Sequence, residues 1–239
     1  MRIRCDFFRA RVMAQFIALE DYRAHMEAQI QESHHSSRSQ ILTENQTQPD
    51  ASSDESVQEW LCLRQQAVDE CDRRFAIDFR RILRFTVLMS VYTLVESNLS
   101  LIATEMTKRK TLALDMMDLQ AKNLVKRFQK FWTKVAGLPW WRDSGWDLLK
   151  DIEELRNCIA HRNGVVGDRD GRIKQLLPRD RGVRVVDVND RQADPDEAGT
   201  LRIEDRFCRE GLEQMKILFG EVFERAGCFG PDHVVVERD

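Results

Sequence analysis

The residues best suited to chemistry lie together in one segment, Glu154-Leu155-Arg156-Asn157-Cys158-Ile159-Ala160-His161-Arg162-Asn163-Gly164. His161 can take and return a proton near neutral pH, because an imidazole titrates there. Arg156, five positions earlier, can hold a phosphate with two parallel N–H donors. Asn157 can orient either group by hydrogen bonding. The bare spacing R-x4-H is common in a chain with 5 His and 37 Lys plus Arg. Basic residues before a terminating Gly, with an Arg paired to an acid, would explain the same segment as a helix end alone.

These residues must be positioned by a helix. Residues 145–161 read as one, capped by Ser144, with Leu148, Ile152, Leu155 and Ile159 in a narrow arc at about 100° per residue. Arg156 sits beside that buried stripe, whereas Asn157 and His161, four apart, share another face. Asn163-Gly164 is an ordinary left-handed termination. His161 therefore falls at a helix C-terminus, where the macrodipole favours its protonated form.

The preceding helix is expected over 115–135, closed by Gly137 and Pro139, with Leu124, Val125, Phe128, Phe131, Trp132 and Val135 inward. Lys122, Lys126, Lys130 and Lys134 recur every four residues beside Arg127. They form either a phosphate-binding ladder or a solvated face. Between the two helices, Trp140 and Trp141 in P-W-W-R-D-S either stack bases or cover a core edge.

The rest of the chain frames this pair. Residues 1–33 read as an N-terminal helix with Phe8, Val12, Phe16, Leu19, Arg23 and Met26 near one face. Residues 34–56 are rich in Ser, Thr, Gln and Asn and read as a flexible linker, carrying His34 and His35 with no further metal ligand nearby. Residues 57–227 form the main domain. It opens with a helix to about Lys108, with room for a break near Cys71–Arg74, whose second half is apolar nearly all round. Glu96 lies in that half and calls for a partner, naturally an Arg. Residues 165–204 alternate over 172–177, 183–188 and 200–203 between turn signals, including Asp-Gly at 170–171 and Arg-Gly at 181–182. They predict a β-ribbon insert. A last helix over 204–226 turns Phe207, Leu212, Met215, Leu218, Phe219 and Val222 inward and ends at Gly227. Residues 228–239 read as a loosely held tail. The expected class is mainly α, a helical bundle with a small β-ribbon insert and an extra N-terminal helix.

Composition narrows the functions. A net charge of -3 excludes holding nucleic acid by bulk charge, though not by a local groove. Charged residues at 32% with only 11 Gly and 5 Pro favour long surface-charged helices. The 6 cysteines form no C-x-x-C pair and no zinc spacing, so neither a metal nor a cofactor is expected. The N-terminal residues lack a continuous apolar core of a secretory leader. The apolar run 82–103 contains Arg84, Glu96 and Asn98, which are costly in lipid, so no membrane span and a cytoplasmic location are expected. There is no P-loop, G-x-G-x-x-G, H-E-x-x-H or G-x-S-x-G.

The phrase Leu155-Arg156-Asn157-x-Ile159-Ala160-His161-x-Asn163-Gly164 resembles the HEPN superfamily (higher eukaryotes and prokaryotes nucleotide-binding domain), whose signature is R-x(4–6)-H with a polar residue after the Arg. The order of an apolar helix with an embedded Glu (V-Y-T-L-V-E-S-N-L, 91–99), a Lys-rich helix and then the motif helix is similar to uncharacterised, defence-associated members. The likeness covers about residues 75–227. It implies a HEPN-like bundle and a metal-independent endoribonuclease that leaves a 2′,3′-cyclic phosphate, working as a toxin or anti-phage effector. It also implies a homodimer with a composite site, an RNA substrate and an antitoxin or other defence-system partner. In that reading His161 is the general acid/base, Arg156 holds the scissile phosphate, Asn157 orients them, and Lys122, Lys126, Lys130 and Arg162 bind RNA. Asn163 stands where the toxins paired with nucleotidyltransferases carry Tyr, which argues against that antitoxin. The alternative is a non-catalytic HEPN-like dimeric interaction or RNA-binding module.

Overall fold

The computed structural model describes residues 7–44, 54–167, 170–177, 181–187 and 199–227. The expected tail 228–239, part of the expected linker, most of 189–199, Cys5 and Cys228 lie outside them. The chain is mainly helical with one small antiparallel sheet, and it divides into two units, residues 21–86 and residues 1–20 with 87–239.

The smaller unit contains most of α1 (Phe7–Glu44), all of α2 (Asp54–Asp72) and the first turns of α3 (Arg80–Lys110). The expected linker is corrected here. Helix α1 runs to Glu44, so His34 and His35 are helical. The sequence 33–44 contains no Gly or Pro, and its polar side chains find helical partners. His34 Nε2 lies 2.7 Å from Asp72 Oδ1 and its ring stacks on Phe75 at 5.7 Å. Arg38 also reaches Asp72, at 3.3 Å. Arg84 Nε donates to Glu27 at 2.7 Å. Pairing 27 with 84 and 34 with 72 makes the two helical runs antiparallel. Ile30, Val68, Cys71 and Leu83 are buried there. The break expected near Cys71–Arg74 is instead a π-helical segment, Arg73–Phe79, that joins α2 to α3 without interrupting the helix.

In the larger unit, the start of α1 is core rather than an appendage. Val12 and Phe16 are fully buried, and Phe8 and Phe16 meet Phe223 and Phe219 of α7 (Asp205–Ala226) at 5.7 and 5.3 Å. Lys216 Nζ donates to Glu20 at 2.7 Å, and these carboxylates of Glu20 and Glu213 hold its ammonium above the usual lysine range. The separate N-terminal helix at 1–33 is thus one helix shared by both units. Every residue expected inward on α7 is buried.

The helix expected over 115–135 is shorter. A 3-10 turn at Met116–Asp118 is followed by a loop, and α4 spans Leu124–Lys130, capped by Asn123, whose side chain accepts from Lys126 N–H. A π-helical turn, Phe131–Val135, follows. Asn in the N-cap position outcompetes the weaker periodicity upstream. Of the expected inward set, Leu124, Val125, Phe128, Phe131 and Trp132 are buried, and Val135 is half-buried.

Helix α5 (Ser144–Arg162) carries the motif. Its cap is Asp143, which accepts from Gly145 N–H at 2.6 Å, rather than Ser144. Trp146, Leu148, Leu149, Ile152, Leu155 and Cys158 are buried, each such large apolar side chain contributing about 1.5–3 kcal/mol. Residues 172–177, expected as strand, fall largely in α6 (Gly171–Leu176), with Ile173 and Leu176 buried three apart. The remaining strands are β1 (Val165–Val166), β2 (Val183–Val186) and β3 (Gly199–Ile203), in the antiparallel order β1-β3-β2. Val165 pairs with Thr200, and Val183 with Ile203. Gly182, at φ +77°, turns the chain into β2 where a Cβ would stand 3.1 Å from that of Glu204.

One helical run, Ser56–Lys110, is long and apolar enough by length and composition to cross a membrane, and half of its apolar window is buried within the structure.

Candidate functional site

The last two turns of α5 present Arg156, Asn157 and His161 differently. Five residues on a helix correspond to about 140° of rotation, so Arg156 and His161 leave on separate faces. Arg156 is half-buried, Asn157 half-buried and His161 exposed. The gap is narrowed by the Arg156 side chain itself, whose Nη1 donates to Asn157 Oδ1 at 3.0 Å. Asn157 shares the His161 face, so the Arg156 guanidinium reaches toward that face.

Arg156 is held from behind. Its guanidinium lies 5.4 Å over the Tyr92 ring of α3, a cation–π contact that fixes the side chain without consuming its N–H donors. Tyr92 Oη donates to Glu153 Oε1 at 3.3 Å, and the same oxygen accepts from Leu124 N–H at 3.3 Å. Glu153 Oε2 is buried without a partner. Burial pushes the Glu153 carboxyl above its usual range, and burial with the charges of Glu153 and Glu96 pushes the Tyr92 hydroxyl upward. Neither Tyr92 nor Glu153 was singled out by the sequence, although Glu153 lies one turn before Arg156. Glu96 is half-buried, and it acts on this same cluster through its charge.

The end of α5 is tied down at four points. Asn163, at φ +51°, donates to Ile159 O, and Gly164, at φ +78°, to Cys158 O. Gly164 O then accepts from Leu201 N–H of β3 at 2.8 Å. Arg162 makes two hydrogen bonds of 2.5 Å to the Asp170 carboxylate, which holds that carboxyl below its usual range; Gly167 N–H adds to it. Asp151, only 2% exposed, accepts from Arg172 of α6 at 2.7 Å. The sheet and α6 therefore clamp the motif helix. Arg162, expected on RNA, is committed to Asp170.

The lysine ladder is corrected as well. Lys122 precedes the cap of α4 and Lys134 falls in the π-helical turn, so only Lys126 and Lys130 keep the four-residue register. Lys130 Nζ donates to Gln120 O at 2.7 Å, and Lys126 Nζ to Gln129 at 3.1 Å. Lys122, Lys126 and Lys130 are exposed. A cleft of about 530 Å³ opens between α4 and the start of α5, and Lys126 lines it; Arg156 and His161 do not. Among the described residues no cluster of three or more His, Cys, Asp or Glu could hold a metal ion.

No family model, curated protein or solved structure matches this chain.

Proposed function

We propose that the chain is a metal-independent endoribonuclease of HEPN type, with Arg156, Asn157 and His161 as its catalytic set. The observation that carries the reading is the exposed His161 on the last turn of α5, one turn beyond an Asn157 that accepts from a guanidinium held in place but keeping donors for a phosphate. In the proposed step the ribose 2′-oxygen bonds to phosphorus and the P–O5′ bond breaks. A proton leaves the 2′-hydroxyl and one arrives at the 5′-oxygen, giving a 2′,3′-cyclic phosphate and a 5′-hydroxyl. His161 moves a proton at one of these oxygens, and Arg156 offsets charge developing on the phosphoryl oxygens. A second copy supplies the other proton carrier when two motifs face each other across a two-fold axis, so the active species is a homodimer. The toxin or anti-phage role, an antitoxin or defence-system partner, and action in the cytoplasm follow from the same reading.

A second reading is a non-catalytic HEPN-like dimeric interaction or RNA-binding module. It is favoured by the 140° separation of Arg156 and His161 and by the commitment of Arg162 to Asp170.

The test compares wild type with His161→Ala and Arg156→Ala on RNA, with and without EDTA. Loss of a general acid/base lowers the rate about 10²–10⁴-fold, so cleavage by wild type alone, unaffected by EDTA and leaving cyclic phosphate ends, is expected. Equal rates for all three proteins would overturn the catalytic reading. RNA binding without cleavage would support the second.

A further inference from the structure

The cleft at the start of α5 combines features that no structural role of the segment requires. Its walls include Trp140, Trp141 and Trp146 on one side and Lys126, Arg142 and Lys150 around the rim. The indoles pack together in tilted and edge-on contacts. Trp140 lies 4.8 Å from Trp146 and 5.2 Å from Trp141, with interplanar angles near 35°. Trp146 and Trp141 are 3% and 8% exposed, and the ring N–H of each is buried without an acceptor. Trp140 stays half-buried at the mouth. Both N–H groups are shielded from solvent, so these two rings support Trp140 rather than donate to a ligand.

The charges point the same way. Of the two carboxylates in the cleft, Asp143 is spent capping α5 and Asp147 is bound by Lys150 at 2.7 Å. Arg142 is exposed, with no hydrogen bond or ion pair among the described residues. A half-buried indole beside surplus positive charge matches a base joined to a phosphate.

The cleft also lies in line with the motif. Lys150, Asn157 and His161 are separated by seven and four residues, so they fall within about 20° of one line along α5. The distance from Lys150 to His161 is about 16 Å of helix rise. Glu154, exposed on the same side between them, keeps the intervening surface from being uniformly basic.

We infer that this cleft is a nucleotide subsite for single-stranded RNA, in which one base packs on Trp140 and its phosphate meets Arg142 and Lys126, the strand then running along α5 to His161. The inference rests on the ribonuclease reading for its substrate class, but the site binds independently of cleavage.

The probe is a 2′-O-methyl adenosine hexanucleotide, which lacks the attacking hydroxyl, titrated into the full chain at low salt while tryptophan fluorescence is followed. Four of the five tryptophans belong to the cluster around this cleft, so occupancy quenches most of the signal. Saturable quenching is expected. Arg142→Glu and Lys126→Glu, at exposed positions that the fold does not need, weaken binding at least tenfold each and reduce its salt dependence. Trp140→Phe retains more affinity than Trp140→Ala. Arg209→Glu, exposed on α7 outside the cleft, changes nothing. Absence of binding, or an unchanged Kd in both charge reversals, overturns the subsite. If the oligonucleotide binds as expected while wild type cleaves no RNA, the subsite stands and the ribonuclease reading falls. If RNA is cleaved and the charge reversals alter neither Kd nor KM, the reverse holds.

Discussion

Replacing Arg172 by Met should destabilise the larger unit more than replacing Asp151 by Asn, although both changes remove the same ion pair. Asp151 is 2% exposed, whereas the Arg172 side chain is 40% exposed. Without Arg172 the carboxylate keeps its desolvation cost and loses one cationic partner. Breaking a fully buried pair in this way costs about 3–5 kcal/mol. Water reaches one side of this pair, so the cost here is about 2 kcal/mol, or a fall in Tm of roughly 4–8 °C for a chain of this size. Asp151→Asn leaves an arginine that water can solvate, and its amide can still accept from it, so the cost is about 1 kcal/mol or less. Urea denaturation of each variant at pH 7 reads the difference. Equal losses for the two variants would refute the assignment of the larger cost to the buried side of the pair.

Other outcomes follow from the same region. Asn163→Gly should be neutral or slightly stabilising, and Asn163→Ala should cost about 1 kcal/mol by thermal melting, because φ is +51° there. Glu153→Gln should gain on wild type as pH rises. The Glu153 carboxyl is raised by burial, so its folded form is favoured at pH below the ordinary glutamate value, and that advantage is lost as pH climbs through the raised one; melts from pH 4 to 8 test this. Asp170→Asn should remove stability that is present at neutral pH. The Asp170 carboxyl is lowered by Arg162, so wild type sheds that contribution only as pH falls below about 4, where the two proteins should converge in Tm.

The amphipathic periodicities were legible wherever a helix had one buried stripe. Helices α5 and α7 could be read with most of their inward residues, because Leu148, Ile152 and Leu155, or Leu212, Met215 and Phe219, recur at three and four, although Ile159 at the end of the α5 stripe is only half-buried. Polar helices were harder. The second half of α1 has few apolar residues, and its helicity shows in pairs such as His34 with Asp72 that lie far apart in sequence. Residues 172–177 looked alternating, yet Ile173 and Leu176 already carried the three-residue spacing of α6. The site was legible at Arg156, Asn157 and His161 as residue types, but not in its supports. Tyr92 lies 64 positions before Arg156, and only tertiary structure puts its ring under the guanidinium. The tryptophan cluster was visible as a doublet, whereas its unpaired N–H groups depend on what surrounds each ring.

The pairing of Val186 with Thr200 has an implication for how the chain can diversify. The stretch between β2 and β3 starts and finishes on neighbouring strands, so its length is decoupled from the spacing of everything else. Doubling such a connection costs only about 0.6 kcal/mol in closure entropy. Whole recognition modules could be grafted between Asp187 and Gly199 while Leu201 still anchors Gly164, leaving the end of α5 where it is. The three-stranded sheet thus works as a socket, insulating the end of α5 from variation a few residues away.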